Sequence, residues 1–578
     1  MLPARVRARL TTTATDWARE KNRIDFPIGT RGKILTEPIA KSGGRTVCMT
    51  ACSYSSSRRA FIQSGILAAG GVLYPWAGAF AQSRSLLRSP KRALVIGNSR
   101  YKQSPLRNPS NDAKAIAEAL KRTGFDVTLG LEMSHAEMSE AIRAYVASLG
   151  KSKPVGLFYF AGHGVQLAWR NYLVPIDAEI VNIEQVRERA IDVNSVIDGL
   201  RKAANPMNMI ILDACRDNPF GATMQGDQRG LSQLDAPPTT LLAYATAPGH
   251  TAADGQGEHG LYTEHLLREM VKPDAKVEDV FKRVRLEVRR RSNGRQIPWE
   301  STSLEEDFWF VPPAQVKKLA EAEAEREFQL ELAFWEKAKG ATQAGPLEEY
   351  LRRYPSGRFS ELAQLKLDQA LARQGEQRIE VVTSALNPYT HGTVRPDTAY
   401  RVRDAYSYRW RQTLTRLEPR TYTHTVTDVT DGTVIFNEGS VVTDLLGNRL
   451  KLENGTTWSA NQLVPAEFTL GKRWNTRFET VARDGTRTVA DLEVRVVNRR
   501  SITVPAGTFN AFQVEAYGYA RGTSDNPFPS SWHGNHPGQT INSQWHLTTW
   551  FAPEQSRRTL AWEWRRGERH ELTSFRQS

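Results

Sequence analysis

Tyr159-Phe160-Ala161-Gly162-His163-Gly164 and Ile210-Ile211-Leu212-Asp213-Ala214-Cys215-Arg216 decide the reading of this chain. Each is an apolar run that stops at a reactive side chain. Val155 to Phe160 and Met209 to Leu212 predict strands buried on both faces of a parallel sheet. In open α/β sheets, ligands bind beyond the carboxyl ends of such strands. His163 and Cys215 are therefore expected side by side on that edge, where a thiol and an imidazole make a nucleophile and its base.

Outward from these strands, residues 91–312 alternate short apolar runs with helical patterns, which predicts a parallel α/β sheet. Residues 93–96 open it, and 125–129 and 241–245 read as further strands. Ser110 or Asn111 is expected to cap a helix running through Lys121. Further helices are predicted over 135–149, 194–203, 262–270 and 277–290.

The cysteines sharpen the reading. There are three, Cys48, Cys52 and Cys215. Ser57-Arg58-Arg59-Ala60-Phe61-Ile62, an uncharged stretch over 64–81 and Ala79-Phe80-Ala81 form a twin-arginine-type export signal with cleavage before Gln82. The other reading is a membrane anchor, but several glycines and Pro75 leave the stretch short of the roughly 20 apolar residues a span needs. Cleavage leaves Cys215 as the single thiol, with no disulfide partner in an oxidising compartment. Reactivity explains such a cysteine at a strand end better than packing does. Met49 stands where a start before this signal would fall. The formal charge of +14 drops by six with residues 1–48 and by two with 49–81, to +6. Nucleic-acid binding, which needs a clustered basic face, loses its main support.

The segment from Lys91 to Phe310 resembles the caspase-like cysteine peptidases of clan CD, in particular their bacterial metacaspase-like (orthocaspase) branch. The motifs are Ala93-Leu94-Val95-Ile96-Gly97-Asn98, Asn108 to Ala113, Phe160 to Gly164, Asp213 to Arg216 and Leu242 to Gly249. The resemblance implies a caspase-hemoglobinase-like, mostly parallel sheet flanked by helices. Cys215 would attack the scissile carbonyl and His163 would protonate the leaving amine. The amides of Gly164 and Cys215 would form the oxyanion hole. Asp112 and Asp213 would line the S1 pocket and select Arg or Lys at P1. Ala161 departs from the serine often found two residues before the histidine, so one polar S1 contact is missing. Simpler roles stand beside these: Asp213 as a helix cap, Asp112 as a first-turn carboxylate.

No metal or other cofactor is expected. Cys215 lacks the partners of a zinc site. Calcium, common among metacaspases, finds only Asp192 in the comparable stretch. His135, His250, His259 and His265 read as surface or structural. Arg229, in the Gly/Gln/Asp/Pro-rich loop 218–238, is a candidate for self-cleavage.

Residues 1–81 are thus read as an extension plus signal, 91–312 as catalytic, 313–378 as a helical linker and 379–578 as an antiparallel β domain. The linker resembles one helix-turn-helix unit of tetratricopeptide type, or else forms a charged spacer. In the last region the period is two, with Asp431-Gly432, Asn454-Gly455 and Asp484-Gly485 as hairpin turns, giving a sandwich or open barrel. Its tryptophans read as core or cross-strand pairs before ligand contacts. The expectation is an exported, periplasmic cysteine endopeptidase cutting proteins or peptides after Arg or Lys. It should be a monomer without a stable membrane span after signal cleavage. The alternative is a latent caspase-like scaffold that binds envelope partners through its β domain.

Overall fold

Alternate residues of the apolar runs serve opposite faces of one sheet. Ala93, Val95, Tyr159 and Ile211 enter one core, and Leu94, Ile96, Phe158 and Ile210 the other. This two-sided burial makes the runs continuous in sequence. A computed structural model describes residues 86, 89–182, 184–215, 231–247, 257–313, 321–376, 393–415, 417–523, 540–565 and 567–578. The extension and its signal, with Cys48 and Cys52, lie outside the described residues, as do Arg229 and His250.

The strands are β1 (Lys91–Gly97), β2 (Asp126–Leu131), β3 (Val155–Leu167), β4 (Arg170–Leu173), β5 (Ile191–Asp192), β6 (Met207–Cys215), β7 (Thr240–Tyr244) and β8 (Trp299–Thr302). The main path runs β2-β1-β3-β6-β7-β8. It is parallel except for β8, which pairs antiparallel with β7. The helices are α1 (Pro109–Arg122), α2 (His135–Ser152), α3 (Val186–Arg189), α4 (Val193–Ala203), α5 (Leu261–Met270) and α6 (Val277–Arg291). One face is covered by α1, α5 and α6, through Ile116, Leu266 and Val280. The other is covered by α2 and α4, through Met138, Tyr145 and Leu200.

Several boundaries differ from the sequence expectation for local reasons. Asn108, not Ser110 or Asn111, precedes α1, because Pro109 is suited to the first turn. Ser134 and Glu137 form a capping box at the start of α2, and Lys153 closes it in the left-handed region. The strands β4, β5 and β8 were not anticipated; they are short and carry no long apolar run.

Three more helices follow, α7 (Glu321–Ala338), α8 (Ala344–Arg353) and α9 (Ser360–Arg373). They are not a charged spacer. Phe328, Trp335, Tyr350, Phe359 and Leu367 share one core with barrel residues such as Tyr408 and Val426, and Leu286 of α6 joins it. Trp335 stacks on Phe359 with ring centroids 5.7 Å apart. Arg289 of α6 pairs with Asp368 (2.7 Å) and Glu376 (2.8 Å), and Arg395 pairs with Asp368 (3.3 Å) and Glu467 (3.2 Å).

From Ala405 to Arg576 the chain forms a closed antiparallel barrel, neither sandwich nor open. Its first strand, Ala405–Gln412, pairs with its last, Glu568–Arg576. Closure removes the free edges that an open sheet would expose. The three expected turns each join neighbouring antiparallel strands. Trp458 stacks on Phe478 and Trp562 on His570, so these tryptophans are core and cross-strand partners. Among the described residues no helix is long and apolar enough to cross a membrane.

Candidate active site

The carboxyl ends of β3 and β6 meet residue for residue. Ala161 is opposite Asp213, Gly162 opposite Ala214 and His163 opposite Cys215. The two reactive positions thus sit on adjacent strands at one register. Gly162 has φ +154°, and a Cβ there would collide with the Tyr101 hydroxyl. A glycine is needed where Tyr101 packs against β3 at this φ. The continuation of β3 pairs with β4, with Gly164 opposite Leu173. The Val174 amide donates to the His163 carbonyl at 3.0 Å. Gly164 and Leu173 are then a non-hydrogen-bonded pair, and the Gly164 amide faces away from β4.

His163 is 3% exposed. Its backbone amide donates to Tyr101 Oη at 2.9 Å, and that hydroxyl donates to the Val174 carbonyl at 3.0 Å. The two rings lie 4.4 Å apart. The His163 Nε2 is 2.7 Å from the carbonyl oxygen of Ser104. Because a carbonyl only accepts, Nε2 carries hydrogen in this contact. In the neutral ring Nδ1 is then the basic nitrogen. Ser104 holds φ +52°, an unusual value for a residue other than glycine.

Asp112 and Asp213 both face the start of α5. Asp112 is 3% exposed and accepts from the Gly260 amide at 3.2 Å. His259 Nδ1 lies 2.8 Å from its other oxygen. Asp213 accepts from Thr263 Oγ1 at 2.6 Å, with Tyr159 Oη 3.4 Å away. A Cβ added to Gly260 would lie 3.2 Å from Asp112 Oδ2 and 3.9 Å from Asp213 Oδ2. The two carboxylates therefore close on one small space. Burial, then the charges of Asp213 and Asp112, pushes the Tyr159 phenol well above its ordinary range. Tyr159 consequently keeps its proton as a donor.

Asp192 caps α4 through the Asn194 amide at 2.9 Å and pairs with Arg170 at 2.6 Å. His265 is buried within α5. His259 is part of this constellation, which its sequence neighbours gave no sign of. Tyr101, Ser104, Tyr159 and Thr263 were also missed. Ser104 contributes a backbone atom, so its side chain could carry no signal.

A mostly parallel sheet with histidine and cysteine at adjacent strand ends defines a cysteine-peptidase-type α/β domain. Residues 90–309 match the caspase domain family of peptidases. Mucosa-associated lymphoid tissue lymphoma translocation protein 1 of Homo sapiens is 27% identical over 196 residues, 33% of this chain and 23% of that protein. Its Mus musculus homolog is 26% identical over 241 residues, 40% of this chain and 28% of that protein. The chain thus matches about a quarter of the length of these relatives. The Drosophila initiator caspase Dronc has 12% identity and a TM-score of 0.30, covering 38% of this chain and 82% of that one; this likeness is too slight to carry weight. Residues 90–309 form a caspase-like domain of the clan CD peptidases.

Proposed function

We propose that this chain is an endopeptidase of the bacterial metacaspase-like branch, using a Cys215–His163 dyad to cut after Arg or Lys. The observation that carries this reading is the His163–Cys215 register, with Ser104 holding the imidazole by Nε2. The Cys215 thiol gives its proton to His163, and the thiolate adds to the scissile carbonyl. The Gly164 and Cys215 amides hold the developing oxyanion. As the C–N bond breaks, His163 returns the proton to the leaving amine, and a thioester remains on Cys215. Water, deprotonated by His163, hydrolyses that thioester and frees the thiol.

The P1 side chain would enter between Asp112 and Asp213. A guanidinium or ammonium there replaces the donors that His259 and Thr263 now supply, with charge-assisted hydrogen bonds to carboxylates. No metal ion or cofactor takes part in this scheme. We also propose export by the twin-arginine-type signal, self-cleavage at Arg229 and a monomeric state. Cell fractionation, N-terminal sequencing and gel filtration test these three points.

The deciding experiment is hydrolysis of fluorogenic peptides with P1 Arg, Lys, Asp or Ala by residues 82–578. The expected result is cleavage after Arg and Lys alone. Cleavage after Asp, or after all four residues equally, would overturn the pocket assignment. No turnover on any peptide, with the thiol shown to be reduced, would favour the latent scaffold.

A further inference from the structure

Many arginines of the barrel are paired with acids. Arg409, Arg411 and Arg569 share Glu571, Arg499 pairs with Glu554, and Arg557 pairs with Asp397 and Asp404. Arg449 and Arg558 make no ion pair with any described residue. Both nevertheless point into the barrel. Arg449, on the strand Arg449–Lys451, lies over the rings of Trp562 (5.1 Å) and Trp458 (5.9 Å). Arg558 precedes the strand Ala561–Trp564 and lies over Phe436 at 4.7 Å. Phe436 is fully buried, and Trp458 and Trp562 nearly so. Neither arginine is fully buried as a residue.

Two like charges close enough to act on one another, in an interior where neither forms an ion pair, are costly. Burial, with Arg558 as a further cause, lowers the pKa of Arg449, whereas for Arg558 burial is outweighed by Tyr408, which it hydrogen-bonds, and by Tyr400, and its pKa is raised. Among the described residues, the nearby acids form no ion pair with either guanidinium. His424 and His570 are held neutral, at about 3, by burial first and then by Arg558 and Arg449 for His424 and by Arg449 for His570. Glu453 and Glu568 approach those histidines, at 3.6 Å and 3.5 Å, and Glu568 acts on Arg449 without forming an ion pair with it. Asp444 is occupied by the amides of Leu446 and Asn448. The polar atoms there are also under-used. His424 Nδ1, Trp458 Nε1 and Arg558 Nε are buried with no hydrogen-bond partner among the described residues. His424 itself is only 7% exposed.

We infer that the barrel interior between Arg449 and Arg558 binds a small organic anion, a carboxylate or phosphate carried on a flat apolar body. The guanidiniums and the indole N–H of Trp458 hold the anionic group. The aromatic walls around Trp562, Tyr408 and Tyr422 take the apolar body. The site is independent of the peptidase reading, and its test requires no turnover.

The test is calorimetric titration of residues 82–578 with 1-naphthoate, 1-naphthyl phosphate and the neutral 1-naphthalenemethanol. At least one anion should bind about tenfold or more tightly than the alcohol, and the tighter of the two identifies the preferred group. Arg449→Gln and Arg558→Gln should each weaken that anion about tenfold and leave the alcohol unchanged. Without ligand, Arg449→Gln should not lower the melting temperature, because burial and Arg558 both disfavour its charge. Equal binding of anions and alcohol would overturn the inference. So would variants that melt several degrees lower yet bind the anion as the parent does, since the arginines would then be structural anchors on aromatic rings.

Discussion

The catalytic sheet and the C-terminal barrel handle polar chemistry in opposite ways. In the sheet, strands β1, β3 and β6 bury apolar residues on both faces and bring polar groups together only where the strands end. In the barrel, interior positions along the strands carry arginine, histidine and tyrosine beside the apolar core. An open sheet has an edge beyond its strands where a substrate can lie. A closed barrel has no such edge, so its strands can present polar groups to a small ligand from their inward-facing side. One region places its chemistry by strand termination, the other by enclosure.

The largest effect is expected at the strand ends. Cys215→Ala should reduce peptide cleavage by roughly 10³-fold or more, with little change in melting temperature. Retained activity in that variant would remove the dyad. Next in size is Trp335→Ala. Trp335 is 1% exposed in the core shared by helices and barrel, and losing it should cost about 3–5 kcal/mol in denaturant unfolding. A loss under 1 kcal/mol would mean that the helices do not share that core.

Asp213→Asn probes the pocket at the end of β6. Cleavage after Arg should fall by about 10²-fold, from the loss of a charged partner in a desolvated pocket. Melting temperature should change little, because the amide oxygen still accepts from Thr263. Equal activity toward P1 Arg would show that the pocket lies elsewhere.

Acid should separate the two regions. Native His424 and His570 resist protonation down to about 3, whereas the unfolded chain takes those protons near the ordinary 6.5. Stability is therefore lost as pH falls below 6.5, by roughly 1.4 kcal/mol per pH unit for each histidine. Asp444, raised to about 6 by burial from its ordinary 3.8, acts in the opposite sense between those values and offsets about one histidine. Barrel tryptophan fluorescence should report a lower melting temperature at pH 5 than at pH 7. Asp444→Asn should steepen that drop, and a melting temperature independent of pH would contradict the neutral assignment.

The smallest expected effect is at His259. If its imidazole competes with P1 for Asp112, His259→Ala should lower KM for P1-Arg peptides a few-fold at unchanged kcat. A raised KM would instead make His259 part of the pocket.

The sheet was legible in the sequence because a strand buried on both faces is a contiguous apolar run, and such runs stop at His163 and Cys215. Asp112 and Asp213 could be singled out by motif, but what surrounds them could not. His259 reaches Asp112 across 147 residues of sequence, and Thr263 reaches Asp213 across 50. Ser104 acts through a carbonyl held at positive φ, a property of the backbone that residue type does not reveal. The hairpin turns of the barrel were visible because Asp-Gly and Asn-Gly favour the required dihedrals. Its closure was not, since pairing of Ala405–Gln412 with Glu568–Arg576 depends on the register accumulated around the whole ring. Nor were its interior charges, because Arg449 sits on a three-residue strand too short to show alternation.

Leu286 lies on a catalytic helix, yet it is packed within the core of the helices and barrel. Arg289, one turn further on, reaches Asp368 and Glu376 on the far side of the Pro312-Pro313 break. A fragment trimmed at that break would expose an apolar scar and strip a guanidinium of both its anions. Conversely, nicking the chain between 313 and 321 should leave the two pieces migrating together until denaturant parts them.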